Sequence, residues 1–242
     1  PKVIIQSVAL LIPSLILIVT QPNLSTTICI AALFCALIFL AGLNYKFVGT
    51  VLAITIPAVA IFLAVAVQPN QPFLHDYQQD RILAWLEPEK YADDESYQQL
   101  NSVMAIGSGQ LSGKGLNNDD PSSLNNAHYI AEGHTDFIFA VVGEETGFIG
   151  AAIVLLIFLF ILWRAIKIAR EASDNLGMLL AVGIISMLAF HVLVNVGMTI
   201  GIMPVTGIPL PFISYGVSSL ITNILAMGLL LNIYNNRQQL MF

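Results

Sequence analysis

Long apolar runs separated by short polar breaks dominate the chain. Residues 3–19 form the first run, with Pro13 inside it, residues 24–43 the second, and residues 47–67 the third. About 20 apolar residues in a helix cross a bilayer, so each run predicts a membrane span, the first at the short limit. Ser25 or Asn23 is placed to cap the second. Residues 68–134 break the pattern. They are polar, carry most of the acids, and predict short helices over 76–86 and 96–106 with a glycine-rich turn region from Ala105 to Gly115. A loop this long is usually functional or disordered. The apolar pattern returns in residues 135–163, a fourth span, and is followed by a short basic loop with Arg164, Lys167 and Arg170. Residues 176–203 predict a fifth span and residues 212–234 a sixth. Around their junction, residues 201–216 are apolar but hold Gly201, Pro204, Gly207, Pro209, Pro211 and Gly216, a composition no regular helix accommodates.

Composition turns this pattern into a class. The chain is 57% hydrophobic and 10% charged, against about 25% charged residues in soluble domains. An all-α, polytopic transmembrane protein is expected, in three parts: three spans in residues 1–67, a large loop in 68–134, and three spans in 135–242 with a re-entrant-like segment at 201–216. Cys29 and Cys35 share one apolar run and read as small packing residues. Because the chain starts at Pro1 with no signal-peptide pattern, a piece of a longer protein is expected. Lys2, Lys46, Arg164, Lys167, Arg170 and Arg237 fall on one side of the membrane, and Arg81, Lys90 and Lys114 on the other. The positive-inside rule makes the first set cytoplasmic and turns the acidic loop outward.

The candidate chemistry collects where that loop meets the fourth span. Glu132, His134 and Asp136 lie within five residues, and Glu132 and Asp136 would share a helix face. Asp136 is either a helix-start acid favoured by the macrodipole or a working group. Glu144 and Glu145 would lie about 12 Å deeper at 1.5 Å per residue, where acids are rare and face protein or a wet cavity. His191, Asn195 and Thr199 recur at i, i+4, i+8 and form one polar stripe, either for hydrogen bonding between helices or to line a cavity. Non-helical backbone in 201–216 requires protein or a water-filled cavity around it. Ser214, Tyr215, Ser218 and Ser219 put hydroxyls at the start of the last helix, where an anion could bind. Lys114 between Gly113 and Gly115 suits a phosphate, although the spacing is not that of a nucleotide-binding loop. Arg81 either anchors a pyrophosphate or pairs with Asp80 or Glu87. These residues describe an outward cavity for a lipid-linked anionic substrate, and equally a transporter.

Several motifs together resemble a known family. They are Gln21–Thr26, Tyr77-Gln78 with Arg81-Ile82, Ala105–Gly109 with Gly113–Gly115, His134–Phe139, Gly143–Glu145, Asn195–Met198 and above all Met203–Gly216. In this order they resemble the SEDS proteins (shape, elongation, division and sporulation) represented by RodA, FtsW and SpoVE. The stretch Leu74–Gln78 is nearer to the RodA branch. Members have ten spans, and the resemblance implies that this chain corresponds to spans five to ten.

What the resemblance implies is a peptidoglycan glycosyltransferase that polymerises lipid II into β-1,4 glycan strands at the outer face of the bacterial cytoplasmic membrane. Its expected partners are lipid II, membrane lipid and a class B penicillin-binding protein, with no nucleic acid. The family's essential acid falls on Asp136, implying a general base. Arg81, Lys114 or a divalent cation (Mg or Mn) would neutralise the leaving pyrophosphate; no cofactor is required by the sequence, and no metal ligands are assigned. Glu132, a like charge one turn away, would make Asp136 a stronger base, and His134 would orient it or cap the helix. Asn195, Ser214, Tyr215 and Ser218 would support the substrate. A lipid II flippase and a non-catalytic scaffold fragment are the alternatives.

Overall fold

The computed structural model describes residues 24–40, 76–88, 90–91, 96–116 and 133–237, with isolated positions between 9 and 18 and between 49 and 68. The described residues form six α-helices: α1 (Leu24–Leu40), α2 (Asp76–Leu86), α3 (Tyr97–Ser108), α4 (Ile138–Arg170), α5 (Asn175–Thr199) and α6 (Val217–Asn235). The short helices of the loop and the spans from the fourth onward therefore fall in the expected stretches, but the fifth ends at Thr199 rather than residue 203 and the sixth begins at Val217 rather than residue 212, both clipped by the Pro/Gly segment between them. The fourth differs at its end, running to Arg170 rather than stopping near residue 163. Its basic last turn, Lys167 and Arg170, suits a helix C-terminus. The first and third expected spans lie largely outside the described residues.

Among the described residues three helices, α4, α5 and α6, are long and apolar enough to cross a membrane, and Thr26–Phe39 of α1 is a shorter apolar helix. Only 17%, 33% and 17% of the most apolar windows of α4, α5 and α6 are buried within the protein. Exposed Phe148, Ile153, Leu156 and Phe160 on α4 and Leu225 and Leu229 on α6 would be intolerable in water and are what lipid-facing surfaces require.

The chain divides into two compact units. One comprises Pro1–Asn44, Phe158–Val192 and Val217–Phe242; the other comprises Tyr45–Ile157 and Leu193–Gly216. In the first, Ala165 and Ala169 of α4, Ala181, Val182, Ile184 and Leu188 of α5, and Ala226 and Leu230 of α6 form the core, with Leu37 of α1 packed against it. The alanines let helices approach closely where apolar burial alone gives no driving force in lipid. Asp174 starts α5 by accepting a hydrogen bond from Gly177 N (3.0 Å), an N-cap.

In the second unit α3 closes the end of α5. Gln99 Nε2 donates to Met198 O (2.8 Å) and Met203 O (2.7 Å), and Ser102 Oγ donates to Thr199 O (2.8 Å). The Met198 and Thr199 carbonyls are ones that a helix C-terminus leaves without intrahelical donors, and Met203 lies in the turn just beyond it. Gln99 and Ser102 are themselves buried, one turn apart on the same face. Ser96, just before α3, donates to Ala84 O of α2 at 2.8 Å and joins the two short helices.

Candidate active site

Asp136 stands two residues ahead of α4, in a turn over residues 133–137. The first turn of α4 carries no acid, so Asp136 precedes the helix it was expected to open. Its main chain is held in a collar. Tyr215 N donates to His134 O (2.8 Å). Ser214 Oγ donates to Thr135 O (2.6 Å). Asn195 Nδ2 donates to Asp136 O (2.8 Å) and to Ile208 O (2.7 Å). Three consecutive carbonyls are thus each bound by a donor from α5 or from residues 201–216. Both partners of the Asn195 amide nitrogen are acceptors, which fixes which way the amide points.

The Pro/Gly segment earns its composition here. Gly207 has φ +69, and a Cβ on it would lie 3.3 Å from Asp136 Oδ2. The carboxylate therefore rests directly over a residue with no side chain, in a backbone conformation L-residues rarely adopt. Phe212, a bulky residue, also has positive φ (66). Such strain persists only where the surroundings over-determine it. Ser214 supplies part of that constraint by accepting from Leu210 N at 2.7 Å. Below the collar, Phe137 is buried and packs with Ala105, Ala140, Ile106 and Val205. Asp136 itself is half-buried, open enough to meet a substrate.

A second constellation lies further along α4. The helix is interrupted at Gly147 (φ 66, ψ −168), a region open to glycine alone. A break frees carbonyls before it and amides after it, and at membrane depth each must find a partner. The glycine-rich turn after α3 provides all four bonds. Lys114 N donates to Glu144 O (2.9 Å), Gly115 N to Glu145 O (3.0 Å), Phe148 N to Gln110 O (2.8 Å) and Ile149 N to Leu111 O (3.2 Å). The fit is close: a Cβ on Gly147 would lie 2.7 Å from Leu111 O, and one on Gly113 2.5 Å from Glu145 C. The Glu144 side chain, 1% exposed, is paired with Lys114 Nζ at 2.7 Å.

The expected site residues therefore separate. His134, Asp136, Asn195 and Ser214 come together. Ser214 is committed to main-chain bonds, so its hydroxyl positions the turn rather than receiving an anion. Tyr215 contributes its backbone amide, and its side chain is exposed. Lys114 is engaged with Glu144, which accounts for one of the two deep acids; Glu145 enters through its main-chain carbonyl. Arg81 is exposed on α2, and Ser218 is exposed at the start of α6, in the other unit. Glu132 lies outside the described residues. In the polar stripe, Thr199 Oγ1 bonds back to Asn195 O (3.1 Å) and Val196 O (2.9 Å). His191 Nδ1 and Asn195 Oδ1 are buried without a hydrogen-bond partner among the described residues. Sequence reasoning missed Gln99 and Ser102, whose one-turn spacing on an otherwise mixed helix was the available signal. Among the described residues no group of three or more His, Cys, Asp or Glu is arranged to hold a metal ion.

Comparison with known proteins adds to this geometry. Peptidoglycan glycosyltransferase MrdB of Escherichia coli is 37% identical over 235 residues, covering 96% of this chain and 60% of the relative. Stage V sporulation protein E of Bacillus subtilis is 36% identical over 232 residues, covering 95% of this chain and 59% of the relative. The chain thus spans about 60% of the length of these curated relatives. A solved structure described as "Structural coordination of polymerization and crosslinking by a peptidoglycan synthase complex" matches with TM-score 0.72 at 30% identity, covering 96% of this chain and 62% of that one. A crystal structure of a mutant of the rod shape determining protein RodA from Thermus thermophilus matches with TM-score 0.60 at 25% identity, covering 97% of this chain and 57% of that one. The FtsW/RodA/SpoVE family, described as "Cell cycle protein", matches residues 1–239, and the chain belongs to that family.

Proposed function

We propose that this chain carries the catalytic carboxylate of a peptidoglycan glycosyltransferase that polymerises lipid II, with Asp136 as general base. The observation that carries the reading is the collar. A half-buried carboxylate sits over Gly207 while three successive carbonyls of its own turn are bound by Asn195, Ser214 and Tyr215. A base must be held in one place relative to the proton it removes, and this arrangement does so through bonds to the main chain of its own turn. The names of MrdB and of the synthase complex support the reaction class.

In the proposed reaction Asp136 takes the proton of the acceptor sugar's 4-hydroxyl. The oxygen attacks the anomeric carbon of the donor, and the bond from that carbon to the lipid pyrophosphate breaks. One displacement inverts an α-linked donor into a β-1,4 product. Pyrophosphate is already a good leaving group, so no second carboxylate is demanded as acid. Arg81 and His134, both exposed, are the described groups we assign to the charged substrate. A divalent cation (Mg or Mn), where present, would supply positive charge for the leaving pyrophosphate; Asp136 is kept for the proton. We assign the reaction to the outer face of the cytoplasmic membrane and the crosslinking partner to a class B penicillin-binding protein.

The test is Asp136→Asn in the full chain, purified with its penicillin-binding partner and supplied with lipid II. Loss of a general base is expected to lower turnover by about a hundredfold to ten-thousandfold. Undiminished glycan synthesis would remove Asp136 from the mechanism.

A further inference from the structure

In the unit that holds α1, α6 and the first part of α5, the end of α4 faces a small basic cavity. Arg164, Lys167 and Ile168 of α4, Glu171 just beyond it, and Tyr234 and Arg237 at the end of α6 enclose about 50 Å³. Three cations meet one carboxylate there. Glu171 reaches Lys167 Nζ at 3.9 Å and Arg237 Nε at 3.6 Å, both long for charge-assisted bonds. The Arg237 guanidinium lies over the Tyr234 ring, 3.6 Å from its centroid, and donates through Nη1 to Tyr234 O at 3.2 Å. Arg164 approaches the same tyrosine. Stacking and the main-chain bond thus hold Arg237 at the cavity wall. Among the residues lining the cavity, the single, weakly engaged carboxylate leaves the cations short of counter-charge.

The depth of this cavity is marked independently. Phe160 and Trp163, with ring centroids 5.9 Å apart, immediately precede Arg164, and they are 59% and 58% exposed. An exposed tryptophan at the end of a span marks the level of the lipid head groups, and Trp163, directly before Arg164, is that residue here. Further into the span the surface of α4 stays apolar and exposed at Leu159.

We propose that this cavity binds a phosphate-bearing anion, presented as the head group of an anionic phospholipid in the adjoining leaflet. Planar guanidinium groups match phosphate oxygens in pairs, and the lysine adds a point charge. Basic pockets between spans are suited to lipid head groups. The apolar flank of α4 receives the acyl chains. None of these residues belongs to the Asp136 collar, so the site stands whether or not the catalytic proposal does. Free phosphate offers the same chemistry from solution, and the test separates the two sources.

The full chain is reconstituted in nanodiscs of phosphatidylcholine alone or with phosphatidylglycerol, and retained lipid is counted by native mass spectrometry. Wild type is expected to retain phosphatidylglycerol selectively. Arg164→Gln and Arg237→Gln are each expected to weaken retention about fivefold, the effect of one cation near a membrane surface. Arg170→Gln removes the same charge from an exposed position outside the cavity and is expected to change nothing. Glu171→Gln removes the competing carboxylate and is expected to strengthen retention, a gain that misfolding cannot produce. Equal loss in Arg170→Gln, no loss in the cavity variants, or weaker retention in Glu171→Gln would overturn the proposal. So would inorganic phosphate raising the melting temperature in phosphatidylcholine discs as much as phosphatidylglycerol does, which would assign the site to a soluble anion.

Discussion

Asp136 and Glu144 are eight residues apart, at and beyond the start of one helix, and their surroundings treat them in opposite ways. Around Asp136 the main chain is held: Tyr215, Ser214 and Asn195 bind the carbonyls of residues 134–136, and the half-buried carboxylate lies over Gly207. Around Glu144 the side chain itself is the object, buried and joined to Lys114 at 2.7 Å. The first arrangement fixes the position of a half-buried acid through the main chain of its own turn. The second neutralises an acid so that a broken helix can exist where water is scarce. The difference teaches that an intramembrane carboxylate is not functional merely by being there. What decides is whether its neighbours hold its backbone or its charge.

Several changes would break this contrast, the largest at Asp136. Asp136→Asn should abolish most turnover with the collar intact, since Tyr215, Ser214 and Asn195 bind carbonyls that the substitution leaves in place. Next is Lys114→Met, which leaves Glu144 buried without its paired cation. A cost of about 3–5 kcal/mol is expected, read as a fall in unfolding midpoint. Because removing both charges avoids the orphan, Lys114→Met combined with Glu144→Met should recover much of that loss; a double variant as unstable as the single one would show that the pair is not the reason. Gly147→Ala forces a side chain into a glycine-only conformation against Leu111, at a cost of about 1–3 kcal/mol for the backbone alone. Proteolysis within residues 109–115 should report the loosened turn, and unchanged protection would contradict the zipper. Asn195→Ala removes two bonds of about 1 kcal/mol each. It should lower turnover more than stability, by loosening Asp136, whereas a purely structural Asn195 would move only the melting temperature.

The smallest effect is on the surface. Glu87, 3.0 Å away, holds the Lys90 ammonium above its usual range by hydrogen bond and charge. A raised lysine value stabilises the fold below the unfolded value and is lost as pH rises through the folded one. Both lie well above neutrality, so Lys90→Ala should leave the pH profile of melting flat between about pH 6 and pH 9. A change there would mean that this exposed pair is coupled to something buried.

Much of the architecture was legible because run length and polarity are local properties. The helices at Asp76–Leu86 and Tyr97–Ser108 and the irregular 201–216 could be read from neighbours in the chain. The break at Gly147 could not. Apolar residues continue on both sides of it, so the run reads as one span. Its stabilising partner, Lys114, is 30 residues away from Glu144 in sequence. The collar was half legible: the polar stripe pointed to Asn195, but only the fold brings residue 195 within 2.8 Å of the Asp136 carbonyl. Ser214 was misread because a hydroxyl at a helix start suggests an anion site, whereas here the nearest acceptor is the carbonyl of Thr135.

The most direct test sets the two acids side by side. Asp136→Asn and Glu144→Gln are made in the same full chain, and glycan synthesis from lipid II is measured per folded molecule at a temperature where both remain folded. The account predicts that Asp136→Asn loses turnover and keeps its stability, while Glu144→Gln loses stability and keeps turnover per folded molecule. Glycan synthesis that survives Asp136→Asn but fails in folded Glu144→Gln would contradict it.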